Sequence, residues 1–185
     1  MKKTFLAFLF VSLVSVGMAS AGSIGENFEA AGLSFSAGGH YYNTFDGYSS
    51  YSVHGGVDFY VVNNLAFGVG VSYRGNTYDA GKLSVNGDIN FAIVPNPRAS
   101  TGFVFLSGMD LGYTWDFEDS YGYGYLTPWI RANFFVAPRI APFIRLEAIS
   151  VYFDDNSYTD LIGTYFYVGF GISFYKPTKD VVLTR

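Results

Sequence analysis

The 185-residue sequence contains no cysteine, so neither a disulfide framework nor thiol chemistry is open to it. Charge is scarce too, at 14% of residues, where soluble domains carry roughly a quarter. That is too little to coat a water-facing surface. The balance is acidic, with a net charge of −4, which excludes the basic footprint of a nucleic-acid partner. The two histidines have no carboxylate or further histidine at a convincing ligand spacing, so no metal is expected. No cofactor motif is present. Beyond residue 21 no apolar run approaches the roughly eighteen residues of a membrane-spanning helix.

Aromatic residues are plentiful instead, at 20% of the chain with 16 Tyr and 19 Phe, yet mean hydropathy is only +0.21. The two figures are compatible when apolar residues alternate with Gly, Ser and Asn, as in strands of a transmembrane β-barrel. The amino terminus is different. Lys2 and Lys3, the apolar run Phe5 to Val16 and the small residues Ala19-Ser20-Ala21 form a secretion signal over residues 1–21, cleaved after Ala21. The apolar run is too short to anchor the chain in a bilayer. Removal of the two lysines leaves nine basic and fifteen acidic residues, a net charge of −6. The destination that fits is the envelope of a bacterium with two membranes.

The stretch Ile162 to Phe174, I-G-T-Y-F-Y-V-G-F-G-I-S-F, carries Ile162, Phe166, Val168, Phe170, Ile172 and Phe174 on one face, with Thr164. Gly163, Tyr165, Tyr167, Gly169, Gly171 and Ser173 fall on the other, because successive strand side chains point to opposite sides. Seven further stretches repeat this period, near 33–41, 51–61, 65–73, 83–93, 103–115, 125–134 and 142–152. The expected fold is all-β, an eight-stranded antiparallel up-and-down transmembrane β-barrel spanning residues 31–174. A short polar leader, 22–30, precedes it on the periplasmic side, and a periplasmic tail, 175–185, follows. The last strand must pair with the first, since an open sheet edge in lipid leaves backbone groups unsatisfied at several kcal/mol each. Pro128, in mid-strand, calls for a local bulge.

The segments 43–50, 75–81, 116–122 and 154–160 are polar and acidic, whereas 62–64, 94–100 and 136–141 are short or proline-bound. Long outer loops opposite short periplasmic turns are the usual asymmetry, which places both termini in the periplasm. Tyr and Trp gather near the loop ends and Phe near the turn ends, as two interfacial girdles would. A soluble lipocalin-type barrel would instead pack its large apolar side chains inward.

Candidate functional residues are few. Asp58, Asp88, Asp110 and Glu147 face inward with Arg74, Arg131 and Arg145. A barrel of eight strands is just wide enough for its own side chains, so these charges are expected to pair into an internal plug. His40, His54, Ser52 and Asp58 could be sketched as a hydrolytic triad, but no nucleophile elbow accompanies them; no catalytic residue is assigned. Asp46, Asp79, Asp116, Glu118, Asp119, Asp154, Asp155 and Asp160 form an acidic outer rim, read as solvated in preference to one that bridges divalent cations to lipopolysaccharide phosphates. Tyr48, Tyr78, Tyr121, Tyr123 and Tyr158 make the same loops suited to adhesion.

In the last strand, Tyr167-x-Gly169-x-x-Ile172-x-Phe174 is similar to the carboxy-terminal signal that small outer-membrane barrels present to the barrel-assembly machinery. Over residues 31–174 the chain resembles the OmpX-like and OmpA-like eight-stranded barrels, although it continues past Phe174, where members of that family commonly end. The resemblance implies an integral, monomeric outer-membrane protein in contact with lipid and lipopolysaccharide. Its expected role is non-enzymatic, in surface structure or adhesion. A lipid A-modifying enzyme and a narrow small-solute channel are the alternatives.

Overall fold

The computed structural model describes residues 22–43, 49–76, 81–118, 121–147, 150–153, 161–163 and 167–177. Residues 1–21, those beyond 177 and much of the four polar loops lie outside them. The alternating stretches form β1 (Leu33–Asn43), β2 (Ser49–Val62), β3 (Leu65–Asn76), β4 (Lys82–Ile93), β5 (Gly102–Asp116) and β6 (Tyr121–Phe135). The seventh barrel strand is built of β7 (Ile140–Glu147) and β8 (Ser150–Phe153), the eighth of β9 (Leu161–Gly163) and β10 (Tyr167–Lys176). Each strand pairs antiparallel with the next, and β10 pairs with β1 from Leu33↔Lys176 to Gly39↔Phe170. The sheet therefore closes into an eight-stranded barrel without a free edge, and the period-2 pattern decides which way each side chain points.

Side chains sort as the alternation demands. Val69, Leu111, Ile130 and Phe170 are more than half exposed on the outer wall, while Asp58, Asp110, Arg131 and Asn133 are buried inside. At the loop end the outer wall carries Tyr41, Tyr51, Tyr113 and Trp115; at the turn end it carries Phe35, Phe59, Phe67, Phe91, Phe103 and Phe134. Several tyrosines of the upper girdle lie across a glycine of the neighbouring strand. A Cβ on Gly75 would meet Tyr51, one on Gly81 would meet Tyr73, and one on Gly122 would meet Tyr113. The rings thereby cover backbone that a side chain would otherwise shield.

The interior departs from the expected polar lining in its lowest third. Tyr60, Ala66, Ala92, Val104, Leu106, Phe135 and Tyr175 face inward and are buried. Into this apolar cup folds the leader, whose residues Ile24–Phe28 make a 3-10 turn with Ile24, Asn27 and Phe28 buried. The Phe28 ring packs at 5.3 Å from Tyr60, 6.1 Å from Phe135 and 5.3 Å from Tyr175. Backbone bonds from Ile24 N to Ala99 O (2.8 Å), Gly25 N to Pro97 O (2.9 Å) and Asn64 N to Phe28 O (2.7 Å) tie it to the turns. Asn27 Nδ2 donates to Pro138 O at 2.6 Å. The leader is thus not a polar strand end outside the barrel but a stopper in its mouth, driven by burial of Ile24 and Phe28 at roughly 1.5–3 kcal/mol each.

Two other expectations shift. The last strand runs to Lys176, past the boundary set at Phe174, because Tyr175 points inward and completes the apolar cup. Pro128 keeps unbroken register with Met109 on β5. The irregularity falls on its other side: Trp129 pairs with Glu147 but Leu126 with Val151, so two residues of β6 face three sequence positions of the seventh strand. Proline sits where this ladder slips and a missing N–H costs least.

Candidate functional site

The register sets like charges beside one another. Asp88 on β4 is directly opposite Asp110 on β5, and Arg131 on β6 directly opposite Arg145 on β7. Such pairs repel. Asp58 on β2 joins the first pair across Gly68 of β3, which gives the lumen one acidic wall, β2 to β5, and one basic wall, β6 to β7. Pairing across the lumen, and with Glu147 on the basic side, offsets that repulsion. Arg145 Nη2 reaches Asp110 Oδ2 at 2.5 Å, and its Nε lies 2.7 Å from Glu147 Oε1. Arg131 Nη2 lies 3.8 Å from Asp58 Oδ2.

Neutral partners complete the network. Ser34 Oγ donates to Asp58 Oδ2 at 2.6 Å, and Asn90 Nδ2 donates to Asp88 Oδ1 at 2.8 Å and Asp58 Oδ1 at 3.3 Å. Trp129 Nε1 donates to Asp110 Oδ1 at 2.7 Å. The Trp129 ring meets two cations, with the Arg145 guanidinium 4.5 Å and that of Arg131 5.5 Å from its centroid. Arg131 also stacks on Phe143 at 5.0 Å. Glycines make the room: a Cβ on Gly68 would strike both Asp58 and Asp88, and one on Gly108 would strike Trp129. Beneath this layer, Asn133 donates to Tyr175 Oη.

Six of the seven expected charges therefore lie in one slab, as Asp58, Asp88, Asp110, Arg131, Arg145 and Glu147. Arg74 does not join it. It pairs with Ser52 and Lys82 in register, three inward positions above Gly68 and so about 20 Å up the strand. A polar cavity of about 150 Å³ runs from Arg74, His40, Ser52 and Tyr123 down to the slab, where Asp88, Asp110 and Arg145 also line it. Ser52 Oγ lies 2.6 Å from His40 Nδ1, but Asp58, the third member of the sketched triad, is held by Ser34 and Asn90 at the far end of the strand. His54 instead packs its ring 6.1 Å from Phe143.

Sequence reading missed the apolar cup and the leader that fills it, although Val104 and Leu106 share the phase of Asp110 and thereby signal an inward, oily lower lumen. It also placed Asp116 on the solvated rim. Asp116 is buried at the end of β5, 2.5 Å from Lys82 Nζ, and accepts from Glu118 N at 3.1 Å. Tyr123 likewise belongs to β6 and packs 5.4 Å from Tyr152. Asp46, Asp79, Asp119, Asp154, Asp155, Asp160, Tyr48, Tyr78 and Tyr158 lie outside the described residues. The assembly-signal residues fall on the closing strand: Tyr167 opposite Glu147, Gly169 opposite Arg145, and Ile172 and Phe174 opposite Ala37 and Phe35 of β1.

Neither a family model nor a curated protein matches this sequence. Among solved structures, the N-terminal β-barrel domain of Pseudomonas aeruginosa OprF is similar over 80% of this chain and 98% of its own, with a TM-score of 0.58 at 8% identity. A de novo designed transmembrane β-barrel is similar over 80% of this chain and 98% of its own, with a TM-score of 0.46 at 16% identity. The first likeness establishes the fold as that of the small eight-stranded outer-membrane barrels.

Proposed function

We propose that this protein is an integral outer-membrane barrel without enzymatic activity, whose rigid wall displays acidic, tyrosine-rich loops at the cell surface for a structural or adhesive role. The observation that carries the reading is the pairing of an apolar outer wall with a lumen crossed by ion pairs and packed at the turn end around Phe28. Val69, Leu111 and Phe170 face outward on different strands, where only hydrocarbon makes their exposure favourable. Among the described residues, ion pairs cross the lumen and Phe28 packs into the apolar cup below them, which speaks against a channel.

The termini and short turns belong on the periplasmic side in this reading, lipopolysaccharide surrounds the loop end, and Tyr167 to Phe174 serves assembly. The His40–Ser52 contact is the one feature favouring the alternative, a lipid A-modifying enzyme; its place inside the lumen, away from the acyl chains, weighs against that.

The test is surface proteolysis of intact cells combined with mass spectrometry of lipid A with and without the gene. Cleavage confined to 44–48, 77–80, 117–120 and 154–160 with an unchanged acyl pattern is the expected outcome. A changed acyl pattern sinks the non-enzymatic reading, and cleavage at 63–64 or 95–100 inverts the topology.

A further inference from the structure

Gly22, the first described residue of the stopper, lies close to two side chains of opposite charge. The point where a Gly22 side chain would start lies 3.2 Å from Glu26 Oε2 and 3.6 Å from Arg139 Nη2. The backbone nitrogen of Gly22 is about 2.5 Å from that point, which puts it within about 6 Å of Glu26 Oε2. Arg139 is nearly buried in the turn before β7, where its carbonyl accepts from Tyr175 N at 3.0 Å. Burial lowers the pKa of Arg139, and the charge of Glu26 pushes it back up. A second cation beside Glu26 would therefore complete an alternating cation–anion–cation arrangement.

The sequence supplies one. Ala19 and Ala21 stand at the third and first positions before Gly22, the small residues that an exported-protein endopeptidase accepts. Hydrolysis of the Ala21–Gly22 peptide bond by water breaks its C–N bond, leaves a carboxylate on Ala21 and gives Gly22 a free amine that is protonated at neutral pH.

We propose that this niche is a binding site for the chain's own processed amino terminus: the α-ammonium of Gly22 pairs with Glu26, which in turn faces Arg139, and so bolts the stopper to the turn before β7. The inference goes beyond the functional reading above and rests on processing after Ala21. Before cleavage Gly22 offers a neutral amide N–H in place of a cation. The bolt therefore closes only on the mature protein.

Protein purified from membranes is tested in two measurements. Its intact mass should correspond to a chain beginning at Gly22; retention of residues 1–21, or a different first residue, overturns the proposal. The amine is then labelled at neutral pH with an N-hydroxysuccinimide ester and the amino-terminal peptide quantified, folded against urea-unfolded. A carboxylate partner keeps the amine in its unreactive protonated form, so labelling should be about fivefold slower in the folded barrel. That protection should vanish in Glu26→Gln. It should vanish equally in a variant with one alanine inserted before Gly22, which leaves every packed side chain in place and serves should Glu26→Gln fail to fold. Equal labelling of folded and unfolded protein, or protection that survives both changes, overturns it.

Discussion

Gly68 has no side chain to offer, and the charge layer depends on that. Asp58 and Asp88 lean over it from either side, so Gly68→Val forces two carboxylates apart and should cost roughly 1–3 kcal/mol, the range for overpacking. Gly87 is its counterpart on the outer face: a Cβ there meets nothing nearer than 3.8 Å, and Gly87→Val should be neutral. The heat needed to convert the unboiled band on a denaturing gel reads both. The ion pairs give a second contrast. Arg145→Met strands the buried carboxylate of Asp110 without its cation and should cost up to roughly 3–5 kcal/mol, whereas adding Asp110→Asn to it should recover part of the loss. A urea titration in detergent micelles measures the coupling. The charges were legible as inward-facing from period 2 alone. Their partners were not, because the acidic and basic walls meet across the barrel and no local spacing encodes that.

At the scale of elements, the strands announced themselves and the leader did not. Nine residues with one phenylalanine and one isoleucine have too little periodicity to read; only the oily cup formed by Val104, Leu106, Phe135 and Tyr175 gives them a destination. Phe28→Ala should empty that seat and cost roughly 3–5 kcal/mol, seen as an earlier unfolding midpoint and as new protease cleavage near Glu29. Ala31, at the hinge between the leader and β1, holds a φ of 65°, a conformation costing a non-glycine residue on the order of 1 kcal/mol. Ala31→Gly should therefore be neutral or slightly stabilising in the same titration, an outcome opposite to that of glycine elsewhere in a strand. The proline signal in β6 was read correctly as an irregularity, yet its location on the adjoining ladder follows from pairing and not from Pro128 itself.

At the scale of the whole molecule, the outer wall meets hydrocarbon and the inner surface meets itself. Val69, which shares its level with Gly87 and Leu111 in the ladder, lies near the middle of the wall. Val69→Arg should cost roughly 2–4 kcal/mol on folding into lipid vesicles and much less in detergent that can deform around the charge. Equal effects in the two media would mean that the wall does not face lipid. In planar bilayers the wild-type protein should show no steady discrete conductance, since the apolar cup below the ion-pair slab offers an ion no hydration.

The sequence by itself determined the number of strands, their faces and the closure of the sheet. All three follow from a two-residue period and from the cost of leaving a backbone hydrogen bond unmade in an apolar solvent. Only the tertiary structure decided what fills the barrel. The opposition of acidic and basic walls, the descent of Arg145 onto Asp110 and the stopper in the turn end depend on distances across the lumen, between residues far apart in the chain. A periodic pattern fixes direction along each strand, but it carries no information about which side chain waits on the other side.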